Sequence, residues 1–484
     1  MPHEIRRPLF HFTPPAHWIN DPNGLVYHDG EYHLFYQYYP EGLVWGPMHW
    51  GHAVSRDLIA WEHLPIALYP DELGMIFSGS AVIDTDNTAG FGAGAMIAIF
   101  THNDRLGQMQ SIAYSTDKGR TWTKYAGNPV IPLIEGKPDI RDPKVIWHAP
   151  SQRWVMVLAV MTEVWFYTSL DLKQWTKSGV FGEGYGSHGG IWETPDLFEM
   201  QVEGEETRVW VLTIGVQSGA PAGGSGTQYF IGSFDGSTFY CADTPETVRW
   251  ADYGSDFYAA QSWSPPPGAR RTWLAWMSNW AYAREFPATD WRGSMSLPRE
   301  MLLVREGGAI VLVQRPISQL AAMRGETKRL AEPELEASQF TIPLQTKPLE
   351  ITAEIRVEQP DARFGLCITS EIGADLVILC DFANQNLRVR RHSSVLPERP
   401  DLIGFTRSHI APLQADEHTL RLYIVIDHGS AEIFAQDGRL VFTEQLLWGS
   451  EKRELVITVE KGNSHLESLE WTVLMDQNGA TRFA

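Results

Sequence analysis

The sequence predicts an all-β protein: a five-bladed β-propeller followed by a C-terminal β-sandwich. Three observations lead there. Apolar runs are short and interrupted by Gly, Pro, Asn or Asp, the punctuation of strands and turns. A loose unit, Ser-x-Asp followed after a few residues by an aromatic, recurs four times in the first part of the chain. The last part shows a clean two-residue alternation of apolar positions instead.

The repeat sets the blade count. "SRDLIAW" ends at Trp61, "STDKGRTW" at Trp122, "SLDLKQW" at Trp175 and "SFDGSTF" at Phe239. An Asp-turn joining strands about once every sixty residues is what one unit per blade leaves in a sequence. At that spacing residues 1–315 make five blades. Residues 316–345 read as a linker. "PISQLAAMRG" has Pro at its start and Gly just past its end, which marks a short helix, and the polar "ETKRLAEPELEAS" follows. Residues 346–484 read as the sandwich, with four amphipathic strands. These are Leu349, Ile351, Ala353, Ile355 and Val357; then Leu420, Leu422, Ile424 and Ile426; then Leu455, Ile457 and Val459; then Leu469, Trp471, Val473 and Met475. One buried and one polar face per strand is the pattern of antiparallel sheets packed face to face.

Bulk properties narrow the function. A chain of 484 residues is long enough for two or three domains. A formal net charge of −20 argues against nucleic acid and anionic membranes as partners and fits a neutral small molecule. The longest apolar stretches fall far short of the ~20 residues that cross a bilayer. "MPHEIRRPLFHF" has no apolar core of a signal peptide, so a cytoplasmic location is expected unless a leader has been removed. Cys241, Cys367 and Cys380 have neither metal spacing nor a disulfide framework. The 19 Trp, 16 Tyr and 21 Phe suit stacking on the C–H face of a sugar, and a plain β core equally well.

Several motifs fail on inspection. "GAPAGGSGTQ" lacks the Gly-Lys-Ser/Thr of a phosphate loop, and "YGSHGG" lacks the first Gly of a nucleophile elbow. "DTDNTAG" begins like a calcium loop but has no Gly at the sixth position and Ala95 at the twelfth. His49 and His52 have no third ligand cluster. No metal and no cofactor are expected.

Carboxylates beside Pro recur three times: Asp21 in "WINDPNG", Asp142 in "DIRDPKV" and Glu193 in "IWETPDLF". A propeller brings such distant residues together, because the inner strands of successive blades converge on one funnel. Three acids in one desolvated pocket repel, and one of them is pushed towards its protonated form. Paired acids of that kind cleave glycosides. Spacing alone leaves open that the three are separate turn acids on the surface.

"WINDPNG", "FSGS", "RDPK", "WETPDLF", "DFYAAQ", "WMSNW" and "DWRGSMSLPRE" resemble, in order, the motif set of glycoside hydrolase family 32. These are the invertases, exo-inulinases, levanases and related β-fructosidases, and "AEIFAQDGR" in the sandwich also resembles the family. The resemblance implies a five-bladed propeller with a C-terminal sandwich. It implies Asp21 as nucleophile, Glu193 as general acid and then base, and Asp142 as the group that holds fructose hydroxyls and stabilises the oxocarbenium-like transition state. Arg141 would bind the same ring, and Asn20, Gln37, Trp45, Phe77, Ser78 and Trp291 would line the −1 pocket. Trp18 is expected to pack behind Asp21.

Two positions depart from the family. Thr194 follows the acid/base where Cys is usual, a change expected to shift the pH optimum without abolishing activity. Ile19 replaces a common Met, a modest apolar swap. The expected activity is a retaining exo-β-fructosidase, with sucrose favoured and inulin- or levan-type chains as further substrates. The alternatives are a fructosyltransferase with the same first half-reaction, or a carbohydrate-binding protein without catalysis. A phosphorylated sucrose would need Lys or Arg at the mouth, and the sequence places none there.

Overall fold

Turn-punctuated strands over the first 316 residues pair into five antiparallel sheets of four or five strands. The computed structural model describes residues 6–266, 268–330, 339–344, 347–359, 361–371, 373–392, 404–413, 418–448, 452–461 and 464–476. The first strands of the five sheets are His17–His28, Met75–Asp84, Ile140–His148, Trp192–Gln201 and Tyr258–Trp263. Each packs against the next, and the fifth packs back on the first, which closes the ring of blades. The ring is also latched. Trp291–Arg292, from the long connection inside blade V, pairs in parallel with His17 and Trp18 of blade I.

The Ser-x-Asp repeat marks one point in four of the blades, the turn after the third strand. Asp57 accepts hydrogen bonds from the Ile59 and Ala60 amides, Asp171 from Lys173 and Gln174, and Asp235 from Ser237 and Thr238. Asp117 holds the Thr121 amide in the same way. These are Asx-type turns, in which a short acid replaces ladder bonds. Blade V has no fifth copy because Gly307 and Gly308, both at positive φ, make a two-residue hairpin between its third and fourth strands. "DTDNTAG" has a structural role of the same kind: Asp84 accepts from the Thr88 and Ala89 amides.

Among the described residues, two six-stranded sheets form the sandwich over Arg324–Leu474. Leu349, Ile351, Ala353, Ile355, Leu420, Leu422, Ile424 and Ile426 line its core as the alternation predicts. Two expectations need correction. The short helix is a 3-10 turn, Ser318–Met323, and the segment expected to follow it as linker begins with a strand. Arg324–Leu330 pairs antiparallel with Ser464–Leu474 as an edge of the sandwich; residues 331–338 lie outside the described residues. This edge strand is mostly exposed, so it lacks an apolar alternation. In the last strand the alternation also fails at the end. Met475 is exposed, and Leu474 is buried in the cluster shared with the propeller. That sheet is covered on both faces, so burial there does not follow a period of two.

Propeller and sandwich are joined by paired backbone as well as side chains. The Tyr253 amide donates to the Val441 carbonyl at 2.8 Å and the Asp256 amide to the Thr443 carbonyl at 3.1 Å. Gly254 is required between them, since a Cβ there would lie 2.3 Å from the Thr443 amide nitrogen.

Candidate active site

A two-against-one bulge interrupts each inner strand at the funnel. Asn20-Asp21 oppose Gln37 in blade I, and Phe77-Ser78 oppose Thr101 in blade II. Asp142-Pro143 oppose Leu158 in blade III, Thr194-Pro195 oppose Ile214 in blade IV, and Ala259-Ala260 oppose Ala275 in blade V. Bulges bend a strand and re-aim its side chains. Pro143 and Pro195 are tolerated because a bulge needs no N–H there, and Pro22 directly follows the bulge of blade I. Asp142, Thr194 and Ala259 hold φ of 61°, 49° and 56°, left-handed values that are uncommon for such residues.

The carbonyls freed by the bulges are satisfied by residues on the inner strand of the neighbouring blade, as buried acceptors require. Ser80 Oγ donates to the Pro143 carbonyl at 2.8 Å. Gln261 Nε2 donates to the Thr194 and Pro195 carbonyls at 3.0 and 3.1 Å. Beside Gln261, the buried Lys144 ammonium pairs with Asp196 at 3.0 Å. This polar layer is the floor on which the site stands.

Above it lies a cavity of about 300 Å³. Asn20, Asp21, Gln37, Trp45, Phe77, Ser78, Arg141, Asp142 and Glu193 all line it. Trp291 does not. Its backbone forms the parallel bridge to His17, and its ring lies 5.2 Å from the Arg7 guanidinium. Trp18 is fully buried behind the acid, and its indole donates to Asn20 Oδ1 at 2.8 Å while Asn20 Nδ2 donates to Asp21 at 3.1 Å. Ser78 Oγ donates to the other Asp21 oxygen at 2.7 Å. Asn23, in the amide orientation that suits its neighbours, donates to Ser78 and accepts from Gln37. The paired Asn residues of "WINDPNG" thus brace the carboxylate from two sides.

Glu193 accepts from Arg141 at 2.9 Å and from the Tyr258 hydroxyl. Arg141 is itself tied to Asp139 and to Gln108. Asp142 accepts from the Thr194 amide at 2.8 Å, which joins the acid of blade III to the bulge of blade IV. Burial first, then the Glu193 charge, pushes Asp21 up to about 6. The same two causes push Asp142 up to about 8. Burial and repulsion together therefore do favour a protonated acid at Asp142.

Tyr258, Gln217, Trp280 and Arg284 belong to the site and were not among the expected residues. Tyr258 reaches Glu193 from blade V, and the other three line the cavity. "DFYAAQ" and "WMSNW" contain Tyr258 and Trp280; Gln217 and Arg284 had no motif. Arg284 places a cation at the mouth, where none was expected. His52, set aside as a metal ligand, meets His33 at 3.0 Å within blade I.

Residues 11–316 match the family description "Glycosyl hydrolases family 32 N-terminal domain" and residues 319–472 match "Glycosyl hydrolases family 32 C terminal". The chain belongs to glycosyl hydrolase family 32. It is 47% identical to a levanase of Bacillus subtilis (strain 168) over 489 residues, covering 99% of this chain and 72% of that one. An extracellular exo-inulinase of Aspergillus awamori is 36% identical, over 92% of this chain and 90% of that one. Among solved structures, a β-fructofuranosidase of Schwanniomyces occidentalis complexed with fructosyl-erythritol superposes with a TM-score of 0.89 at 32% identity, covering 98% of this chain and 99% of that one. This family 32 chain is a glycoside hydrolase.

The raised Asp142 has a consequence for stability. Its folded value of about 8 lies above the usual 3.8. The folded protein therefore binds that proton more tightly than the unfolded chain. The associated stability is complete below pH ~4 and is lost as pH rises towards 8. Asp142→Asn imitates the protonated form and can still accept from Thr194. At pH 8 it is expected to be more stable than the parent by about 2–5 kcal/mol, and the gap should close near pH 4. Urea unfolding at both pH values measures this, and equal gaps would contradict it.

Proposed function

We propose that the chain is a retaining exo-β-fructosidase that removes terminal β-fructofuranosyl units from fructans and from sucrose. The observation that carries this is the single cavity with all three acids at its base and the bulged inner strands around it. Its volume suits one sugar ring plus part of the next, which favours action at a chain end. Similarity to a levanase over 99% of the chain supports fructans ahead of sucrose, the reverse of the order expected from sequence. Several relatives are named extracellular, so they lend no support to the expected cytoplasmic location.

In this reading Asp21, oriented by Ser78 and Asn20, attacks the anomeric carbon, and Glu193 protonates the leaving oxygen. Water then releases fructose with Glu193 as base. Hydroxyls of bound fructose donate to Asp142 and favour its ionised form, since hydrogen bonds to a charged carboxylate stabilise it. Trp45 and Phe77, whose rings meet edge-on at 6.1 Å, wall the apolar side of the ring.

The test is product analysis on levan, inulin and concentrated sucrose, with methanol as a competing acceptor. Fructose alone from the polymers, and methyl β-fructoside in methanol, would support the reading. Methyl α-fructoside would overturn retention. Glucose in excess over fructose, with new trisaccharides, would mean that sugar acceptors outcompete water and the enzyme is a transferase.

A further inference from the structure

The leaving group lies on the Glu193 side of the cavity, because the acid must reach the leaving oxygen. That side is walled by blades IV and V: Gln217 follows the second strand of blade IV, and Trp280 and Arg284 lie in blade V between Thr272–Trp276 and Arg299–Glu306. The segment 277–290 contains no strand, so side chains must fix its path.

One anchor is Asn279, whose Nδ2 donates to the Gly223, Ser225 and Ser255 carbonyls at 3.0, 3.2 and 2.9 Å. A second is the Trp280 ring itself, 4.8 Å from Trp276. The third comes from the other domain. Phe405 of the sandwich is 1% exposed and forms one cluster with Tyr282 and Phe286, at centroid distances of 5.5 and 5.7 Å. Phe405 is held in turn by Arg391. Its Nε donates to the Phe405 carbonyl at 2.6 Å, and its guanidinium lies 3.8 Å over the Phe405 ring. Arg391 also donates to the Tyr282 hydroxyl at 2.5 Å and pairs with Asp256, which accepts from the same hydroxyl. The three acids, Asn20, Gln37 and Ser78 stand on blades I to IV, and the −1 pocket meets this segment at Tyr258 of blade V and at Trp18, on which the Trp280 ring stacks at 6.1 Å.

We infer that Phe405, clamped by Arg391, is a positioning residue through which the sandwich sets the affinity for the sugar beyond the scissile bond. This rests on the fructosidase reading above. Phe405→Ala removes the ring that supports Tyr282 and Phe286, so the segment carrying Trp280 and Arg284 relaxes outwards. Ser78, Asn20 and Arg141, which hold Asp21 and Glu193, keep their own hydrogen bonds on blades I to III.

The experiment is steady-state kinetics of the full chain on an inulin-type trisaccharide, with product inhibition by free fructose as the measure of the −1 pocket alone. Phe405→Ala is expected to raise KM for the trisaccharide about 3–10-fold, with kcat and the fructose inhibition constant each within about twofold of the parent. Phe405→Leu, which refills most of the volume, should fall between the two and serves if the alanine variant does not fold. An unchanged KM in a folded variant would overturn the inference, as would a parallel loss of fructose affinity and kcat. A parent enzyme that releases no fructose would instead sink the fructosidase reading.

Discussion

Asp21→Ala is expected to lower fructose release by a factor on the order of 10⁴ or more while leaving the fold intact. The carboxylate is held by both Ser78 and Asn20, and the reaction in this reading passes through a bond to it. Its removal also relieves repulsion, because burial and Glu193 already push it up to about 6. The variant should therefore unfold no earlier than the parent. The side-chain volume removed leaves room for a small anion on the face that Asp21 vacates. Azide should restore part of the turnover with a substrate bearing a good leaving group, and the product should be the α-configured fructosyl azide. Chromatography and NMR of the product distinguish the outcomes. A variant that keeps parental turnover would remove Asp21 from the chemistry, and azide incorporation with β configuration would contradict direct attack by Asp21.

How much of the site could be read from sequence follows from where bulges leave a trace. Asp21-Pro22, Asp142-Pro143 and Thr194-Pro195 are visible because Pro is excluded from a regular inner strand and accepted in or directly after a bulge. The acids sit in or beside those bulges, so acid-next-to-Pro points at the funnel. Blade V has the same distortion at Ala259-Ala260, with neither Pro nor an acid to advertise it. Tyr258 was passed over for that reason, although its hydroxyl meets Glu193 directly. Gln217 and Arg284 were invisible for a different cause: they lie on strandless rim segments whose path depends on neighbouring blades and on the sandwich. Trp291 fell the other way: the backbone of this motif aromatic pairs with blade I, and its side chain is not among those that line the cavity. The blade count came from Asp-turns in four blades, and the fifth was silent because Gly307-Gly308 closes its hairpin without an acid.

The domain boundary was the least legible feature, and part of the reason lies in charge. The interface buries Val425, Phe434, Val441 and Leu474 of the sandwich in one apolar cluster with propeller residues. It also buries ions. Arg299 of the propeller, fully buried, donates to Glu432 of the sandwich at 2.9 Å and to Asp252 at 2.9 Å. Glu432 also meets His11 at 2.9 Å, and His11 meets Asp427 at 2.8 Å. Burial alone would lower His11, yet its hydrogen bonds to Asp427 and Glu432 outweigh that and raise it to about 9. Each of these residues reads as an ordinary surface charge until the two domains are placed together.

Arg299→Met is therefore expected to destabilise the protein by about 3–5 kcal/mol, the cost of leaving buried carboxylates without their partner. The methionine fills much of the space and still packs on Phe257 and Phe434, over which the guanidinium now lies at 4.2 and 5.2 Å. The loss is thus mainly electrostatic. Two further measurements separate this from simple loss of packing. Adding Glu432→Gln to Arg299→Met should recover part of the loss, because one uncompensated anion is removed, and the double-mutant cycle should show coupling above about 1 kcal/mol. The single variant should also regain stability relative to the parent on acidification. Asp252, already raised to about 6 by burial despite Arg299, loses the cation that lowers it, so its folded value climbs further. Stability associated with that group is then complete below its unfolded value and lost as pH rises through the higher folded one. Urea unfolding of the parent, both single variants and the double variant at pH 5 and pH 8 provides the full comparison. Additive losses with no pH dependence would show that Arg299 acts by packing alone and that the buried charges do not hold the two domains together.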